Sequence, residues 1–351
     1  MTRIRHVTRI GVGTAAAGAL LLPIGPAAAA PGSGYRQVNL VSDVPGLARL
    51  TDADVVNPWG IALGPTTPLW VANNGTDTAT IYAGANGSDP VSKVPLTVSV
   101  PHSPTGQVFN PTSGFGVSRG GQRAPGRFLF DTTAGRLASW SPEVEPLETA
   151  QVKAHVANRV YLGLALADTP DGPQLYAADG ASGVDVFDRQ YRLIARPGAF
   201  VDPHLESGLA PYNVAAMAGK IYVAYAPTPG VEAAVDGAID VYNLRGGFLR
   251  RLVTGGRLDE PWGMVMAPAG WGHLGGTLLV GNEEDGRINA YDPMTGAYRG
   301  TVRDSSGKAI ENDGLWGLAF GNGVFGTPQT LIFAAGIDEY EHGLIGLIRA
   351  G

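Results

Sequence analysis

The chain has no cysteine, six histidines, and charged side chains at 16 % of its 351 positions. Without cysteine there is no disulfide framework, thiolate metal site, cysteine nucleophile or lipidated cysteine anchor. No lysine- or arginine-rich run occurs, so the chain lacks an electrostatic handle for nucleic acid or anionic lipid. Beyond residue 30 there is no long apolar run, which excludes a helical membrane span from that part. Catalytic signatures are missing too. PTSGF (residues 111–115) holds a serine but no G-x-S-x-G elbow, and no P-loop or dinucleotide fingerprint occurs. GVGTAAAG (residues 11–18) follows no strand, so its glycines do not mark a nucleotide site.

Glycine (51) and proline (26) are plentiful, and 44 % of residues are hydrophobic. That composition supports a sizeable core broken by many turns rather than long helices. Residues 1–30 stand apart. MTRIRHVTRI carries three arginines and no acid, an apolar stretch follows, and Ala28-Ala29-Ala30 offers an A-x-A exit. This order reads as a secretory signal peptide, so export to a secreted, extracellular location is expected for a mature chain 31–351. Removing Arg3, Arg5 and Arg9 takes the formal charge from −6 to −9 (−6 minus three).

The most informative presence is a repeat. Six related segments begin at Gly60 (GIAL), Gly114 (GFGV), Gly163 (GLAL), Asn213 (NVAA), Gly263 (GMVM) and Gly317 (GLAF), at intervals of 54, 49, 50, 50 and 54 residues. Each alternates small and larger apolar residues, the period-2 signature of a strand, and its small face implies close backbone approach. A second set follows: LWVAN, FLFDT, LYAAD, IYVAY, LLVGN and LIFAA. A third set includes TATIYA, GVDVFD and GRINAYD, mostly ending in an aromatic before a turn residue. A weaker fourth strand fills each remaining gap. Four strands per fifty-residue repeat predict an all-β, six-bladed β-propeller of four-stranded blades, with inner strands near 60, 114, 163, 213, 263 and 317. The last repeat stops after its third strand, at GLIGLIRAG, while YRQVNLVSDV (residues 35–44) is unassigned. That segment is expected to complete blade six and close the ring.

PWGIAL…LWVANNGTDTATIY resembles the NHL-type propeller repeat. TGQVFNPTSGF, LAPYNVAAM, GNEEDGRINAYDPMTG and DGLWGLAFGNG resemble a family of exported bacterial six-bladed propellers across the whole mature chain. The resemblance implies the fold and export and adds no chemistry. The broader superfold includes gluconolactonase-like and paraoxonase-like enzymes that hold calcium in the central channel. That comparison is one of fold alone.

Candidate chemistry sits where the repeat is broken near the channel mouth. Asn213 stands where the other five repeats have glycine. After the second strand the aligned positions include Asn73, Asp179 and Asn282, with Glu283 next. These five could supply oxygen ligands to calcium, which prefers six to eight of them. The alternative is that Asn and Asp cap turns through their own backbone hydrogen bonds. GNEEDGRI (residues 281–288) lacks the EF-hand spacing and reads as a hairpin turn closed by Asp285-Gly286. His102, His155, His204 and His342 fall in loops on the same side, and His204 is the candidate general base. Trp59, Trp262 and Trp316 could stack on a sugar, although their place in the repeat points to packing between adjacent blades. The leading expectation is a binding or interaction module for a small molecule, glycan or protein. The alternative is a calcium-dependent hydrolase of lactone or ester type at the channel mouth.

Overall fold

The computed structural model describes residues 34–87 and 89–351, and the expected signal peptide, residues 1–30, lies outside them. Among the described residues the helical elements are two short 3-10 turns, Asn74–Thr76 and Gly272–Leu274. The strands form six small sheets around one axis, and the fold is a six-bladed β-propeller.

Blade 1 runs from the axis outward as Pro58–Ala62, Leu69–Asn73, Thr78–Ala83 and Ser92–Ser99. Blade 2 contains Pro104–Phe109, Phe128–Thr132, Arg136–Trp140 and Gln151–His155. Blade 3 has Tyr161–Thr169, Gly172–Asp179 and Gly183–Phe187. Blade 4 follows with Leu209–Met217, Lys220–Pro227, Ala238–Tyr242 and Phe248–Thr254. Blade 5 is Pro261–Met266, Leu278–Asn282, Ile288–Tyr291 and Tyr298–Thr301. In blade 6, Leu315–Phe320, Thr330–Ala335 and Leu344–Ala350 are completed by Tyr35–Ser42 from the other end of the chain.

The closing strand pairs antiparallel with Leu344–Ala350, from Tyr35 opposite Ala350 to Ser42 opposite Leu344. Its end is fastened by side chains: Ser42 Oγ donates to the Gly343 carbonyl (2.7 Å), and Asp43 accepts from the Gly343 N–H (2.8 Å) and meets His342 Nδ1 (2.6 Å). Closure in this way gives Leu344–Ala350 a paired strand on each side, so it is not left as an open edge of the kind that invites aggregation.

Two expectations are corrected. Gly114 does not open the inner strand of blade 2; Pro104–Phe109 does, and Gly106 holds the ring position. The GFGV segment instead contributes to a separate hairpin, Gly116–Arg119 paired with Gln122–Pro125. Both stretches alternate, so periodicity alone could not separate them. What separates them is contact with the next blade, because a Cβ on Gly106 would lie 2.2 Å from Leu164 N. Blade 3 also departs from four strands. Beyond Phe187 its outer edge holds only a single bridge to Leu193, because Tyr191 turns left-handed (φ 65°) and Pro197-Gly198 follows.

The core is not one mass but a series of seams, each filled from two neighbouring blades. Leu40, Leu69, Tyr82, Ile332 and Ile345 fill the seam between blades 6 and 1, across the point of closure. Between blades 1 and 2, Trp70 stacks on Phe128 at 4.1 Å and 14°. Burying each such side chain is worth roughly 1.5–3 kcal/mol, so the seam at the point of closure stabilises the ring.

Candidate functional site

Because the strands of each blade alternate in direction, loops leading into the inner strands share a face with loops joining second to third strands. The catalytic and metal candidates lie at that face. It is built on the residue just before each ring position: Trp59, Thr105, Leu162, Tyr212, Trp262 and Trp316. The three tryptophans pack between the adjacent blades 5, 6 and 1 and form one cluster there, joined by Leu162 and Tyr212. Trp59 and Trp316 stack at 3.7 Å and 16°, and Trp262 stands edge-on to both. Residues from five blades converge here, so the cluster caps the central channel. Below it the channel is a cavity of about 500 Å³ lined by Ile61, Val108, Leu164, Val214 and Met264 among others.

The glycines below this cap are required by crowding. A Cβ at Gly263 would lie 2.5 Å from the Trp316 carbonyl oxygen, and one at Gly317 the same distance from that of Trp59. Asn213 faces the equivalent carbonyl, that of Trp262, and donates to it from Nδ2 at 2.7 Å while Oδ1 accepts from the Val214 N–H at 2.7 Å. The exception to the glycine rule thus bridges blades 4 and 5 with its side chain.

The other candidate side chains are likewise held by local partners, Asn73 and Asn282 through their amide nitrogens. Asn73 Nδ2 donates to Thr78 and Thr80, Asp179 accepts from the Val160 N–H and Ser182 Oγ, and Asn282 Nδ2 donates to the Arg257 carbonyl and Asp285. Asn282 N donates to Arg287 O across Asp285-Gly286, the hairpin turn expected for this segment. Among the described residues no group of three or more His, Asp or Glu side chains is arranged to hold a metal ion. His204 is exposed, and its backbone N–H donates to Asp202. His342 is tied to Asp43 at the ring closure.

Glu283 joins a cluster of titrating groups beside the cap, as Asp179 does with Arg159 (3.6 Å) in blade 3. The Glu283 N–H donates to the Glu260 carbonyl (2.9 Å), and its carboxylate accepts from the Tyr340 hydroxyl. Burial, then the Glu260 and Glu284 charges, push the Glu283 carboxyl up to about 7. Glu260 is also raised, first by burial and then by Glu284 and Asp236. Tyr212 is held well above its usual value by burial and by Glu283 and Glu260. Tyr340 in turn lies 6.0 Å from Trp316, linking the carboxyl pair to the tryptophan cap.

Beside the cap, over blades 3 and 4, a cleft of about 620 Å³ opens on the same face. Trp59, Leu162 and Tyr212 belong to its lining, with Pro211, Pro229 and half-exposed Val231 among its apolar walls and Glu260 as its carboxylate. Trp59 Nε1 is buried there without a hydrogen-bond partner among the described residues. Glu260, Tyr212 and Tyr340 were not singled out by the sequence, but a signal existed. Asn57, Glu260 and Gly314 each precede a tryptophan by two residues, and all three adopt positive φ (44°, 52° and 58°), turning the chain into the inner strand.

The chain is 35 % identical to uncharacterized protein R648 of Acanthamoeba polyphaga mimivirus over 345 residues, covering 94 % of this chain and 83 % of that one. It is 36 % identical to uncharacterized protein L690 of the same virus over 330 residues, covering 88 % and 83 %. The chain belongs to the family of these proteins. No family model matches it. Among solved structures, a crystal structure of a nidogen/laminin complex aligns with TM-score 0.46 and 11 % identity over 80 % of this chain and 84 % of that one.

Proposed function

We propose that the protein is an exported binding module whose ligand sits in the cleft beside the tryptophan cap. The observation that carries this reading is the make-up of the cleft: apolar and aromatic walls enclosing about 620 Å³, with the Glu260 carboxylate in the lining. Such a concave apolar site with few polar groups is the usual form of a small-ligand pocket. Its complement is a molecule with an apolar body and a protonated amine, the body against Pro211 and Val231 and the amine at Glu260. The Glu260–Glu283 pair, where like charges oppose each other, is relieved by a bound cation. Resemblance to exported bacterial propellers and to NHL-type repeats, together with the basic–apolar–small order of residues 1–30, supports export.

Titration with 4-phenylbutylamine and with 4-phenylbutan-1-ol, read by tryptophan fluorescence, tests the reading. The amine is expected to bind saturably and more tightly than the alcohol, and Val231→Arg is expected to abolish both. Equal binding to wild type and Val231→Arg, or no binding at all, sinks the proposal.

One observation favours a second reading, hydrolysis of a lactone or ester assisted by calcium. A carboxyl pushed up to about 7, as at Glu283, carries or takes a proton near neutrality. Asn73 and Asn282 also each keep a buried side-chain oxygen without a partner among the described residues. Under this reading calcium raises the melting temperature with concentration, a chelator reverses the rise, and δ-valerolactone or phenyl acetate is turned over. A melting temperature indifferent to calcium, with no turnover, removes it.

A further inference from the structure

The hairpin that breaks the repeat in blade 2 builds a second cleft, on the opposite face from the tryptophan cap. It lies between the hairpin, the outer strand of blade 2 and the turn after the third strand of blade 3, and encloses about 580 Å³. Arg123 comes from the hairpin, Lys153 from the outer strand and Arg189 from the turn. No carboxylate lines this cleft, although the chain as a whole has a net charge of −6. None of the three cations takes part in an ion pair among the described residues.

Three unpaired cations from separate elements repel one another unless an anion joins them. Burial, and then the Arg123 charge, hold the Lys153 ammonium below its usual value. Its Nζ lies 5.9 Å from the centre of the Tyr191 ring, which fixes it toward the cleft wall. In the wall, Phe115 and Tyr191, both bulky, take left-handed backbone (φ 59° and 65°), which their surroundings must enforce. Here the Phe115 N–H donates to the Arg189 carbonyl (2.8 Å), and the Tyr191 hydroxyl donates to the Phe115 carbonyl (2.7 Å). These bonds tie the segment leading into the hairpin to the turn that carries Arg189.

We propose that this cleft binds a ligand bearing two or more phosphate or sulfate groups, with Arg123, Lys153 and Arg189 as its counter-charges. The two guanidinium groups suit bidentate contact with such oxyanions, and the ammonium adds a point charge. A volume of about 580 Å³ admits a small molecule or a disaccharide.

Calorimetric titration of residues 31–351 with inorganic pyrophosphate and, separately, with a trisulfated heparin disaccharide at 0.15 M salt tests the site and separates phosphate from sulfate sources. Saturable binding of either supports the proposal. Lys153→Met and Arg189→Gln are each expected to weaken it at least tenfold. Lys220→Gln, on blade 4, is expected to leave it unchanged. Unchanged thermal melting of each variant without ligand keeps a folding defect from imitating the result. Absence of saturable binding for both probes overturns the proposal, as does a loss in Lys220→Gln equal to that in Lys153→Met, which marks nonspecific attraction.

Discussion

The two clefts lie on opposite faces of one ring and differ in almost every property. The cleft beside the tryptophan cap is apolar, built mostly from the regular parts of blades 3 and 4, and its charged lining residue is a carboxylate. The cleft under the blade 2 hairpin is polar, built from the segment that departs from the repeat, and its charges are all positive. Both depend on the same seams for rigidity. The contrast teaches that one cleft can be assembled from the regular loops of the repeat, while the other needs a segment that departs from it.

The largest expected effect tests the shared ring. Gly317→Val places side-chain atoms within the 2.5 Å gap to the Trp59 carbonyl oxygen. Overpacking of this kind costs about 3 kcal/mol, and the melting temperature should fall by roughly 4–5 °C. If both clefts rest on this seam, binding at both weakens; an unchanged melting curve would show that the glycine ring is not under pressure.

Asn213→Ala comes next. It leaves the Trp262 carbonyl without its side-chain donor, at a cost of about 1–3 kcal/mol, measurable by urea denaturation. The loss is expected to be equal with calcium and with chelator. A loss seen only with calcium would move Asn213 from bridge to ion ligand.

A smaller, pH-dependent effect distinguishes the acidic cleft. Glu283 is raised from 4.5 to about 7 in the folded chain, so the folded state binds the proton more tightly than the unfolded state. Its contribution to stability is therefore full below pH 4.5 and declines as pH rises from about 4.5 to 7. Glu283→Gln, which leaves Glu260, Glu284, Tyr212 and Tyr340 in place, should match wild type at pH 4 and exceed it in stability at pH 8. The reverse order at pH 8 would mean that the carboxylate is stabilised where it stands.

The smallest effect concerns ring closure. Hydrogen bonding to Asp43, and then its charge, raise the exposed His342 imidazole. Its contribution is present below the ordinary histidine value of about 6.5 and disappears as pH rises through the raised value. His342→Ala should lower the melting temperature slightly at pH 6 and less at pH 9, with neither cleft's ligand affected.

Much of this architecture is legible in the sequence because a propeller repeats itself. PWGIAL, PWGMVM and LWGLAF set the register, and the unpaired YRQVNLVS announced the strand that closes blade 6. Blade 2 is ambiguous in the sequence for a physical reason: GFGV and TGQVF carry the same alternation, and only contact between Gly106 and Leu164 shows which one faces the axis. The site was less legible. Trp59 and Trp262 are separated by some two hundred residues, and nothing local says that their rings meet at 6.1 Å. Glu283 could be named from its place after the second strand. Its neighbour Glu260 and its partner Tyr340 reach it from other loops, which only the closed ring brings together.

The central claim is that the two faces carry separate sites of opposite character, and one crossed titration tests it. Wild type, Val231→Arg and Lys153→Met are each titrated with 4-phenylbutylamine and with pyrophosphate. The account predicts that Val231→Arg loses the amine and keeps pyrophosphate, and that Lys153→Met does the reverse. Loss of both ligands in either variant, or retention of both in both, would contradict it.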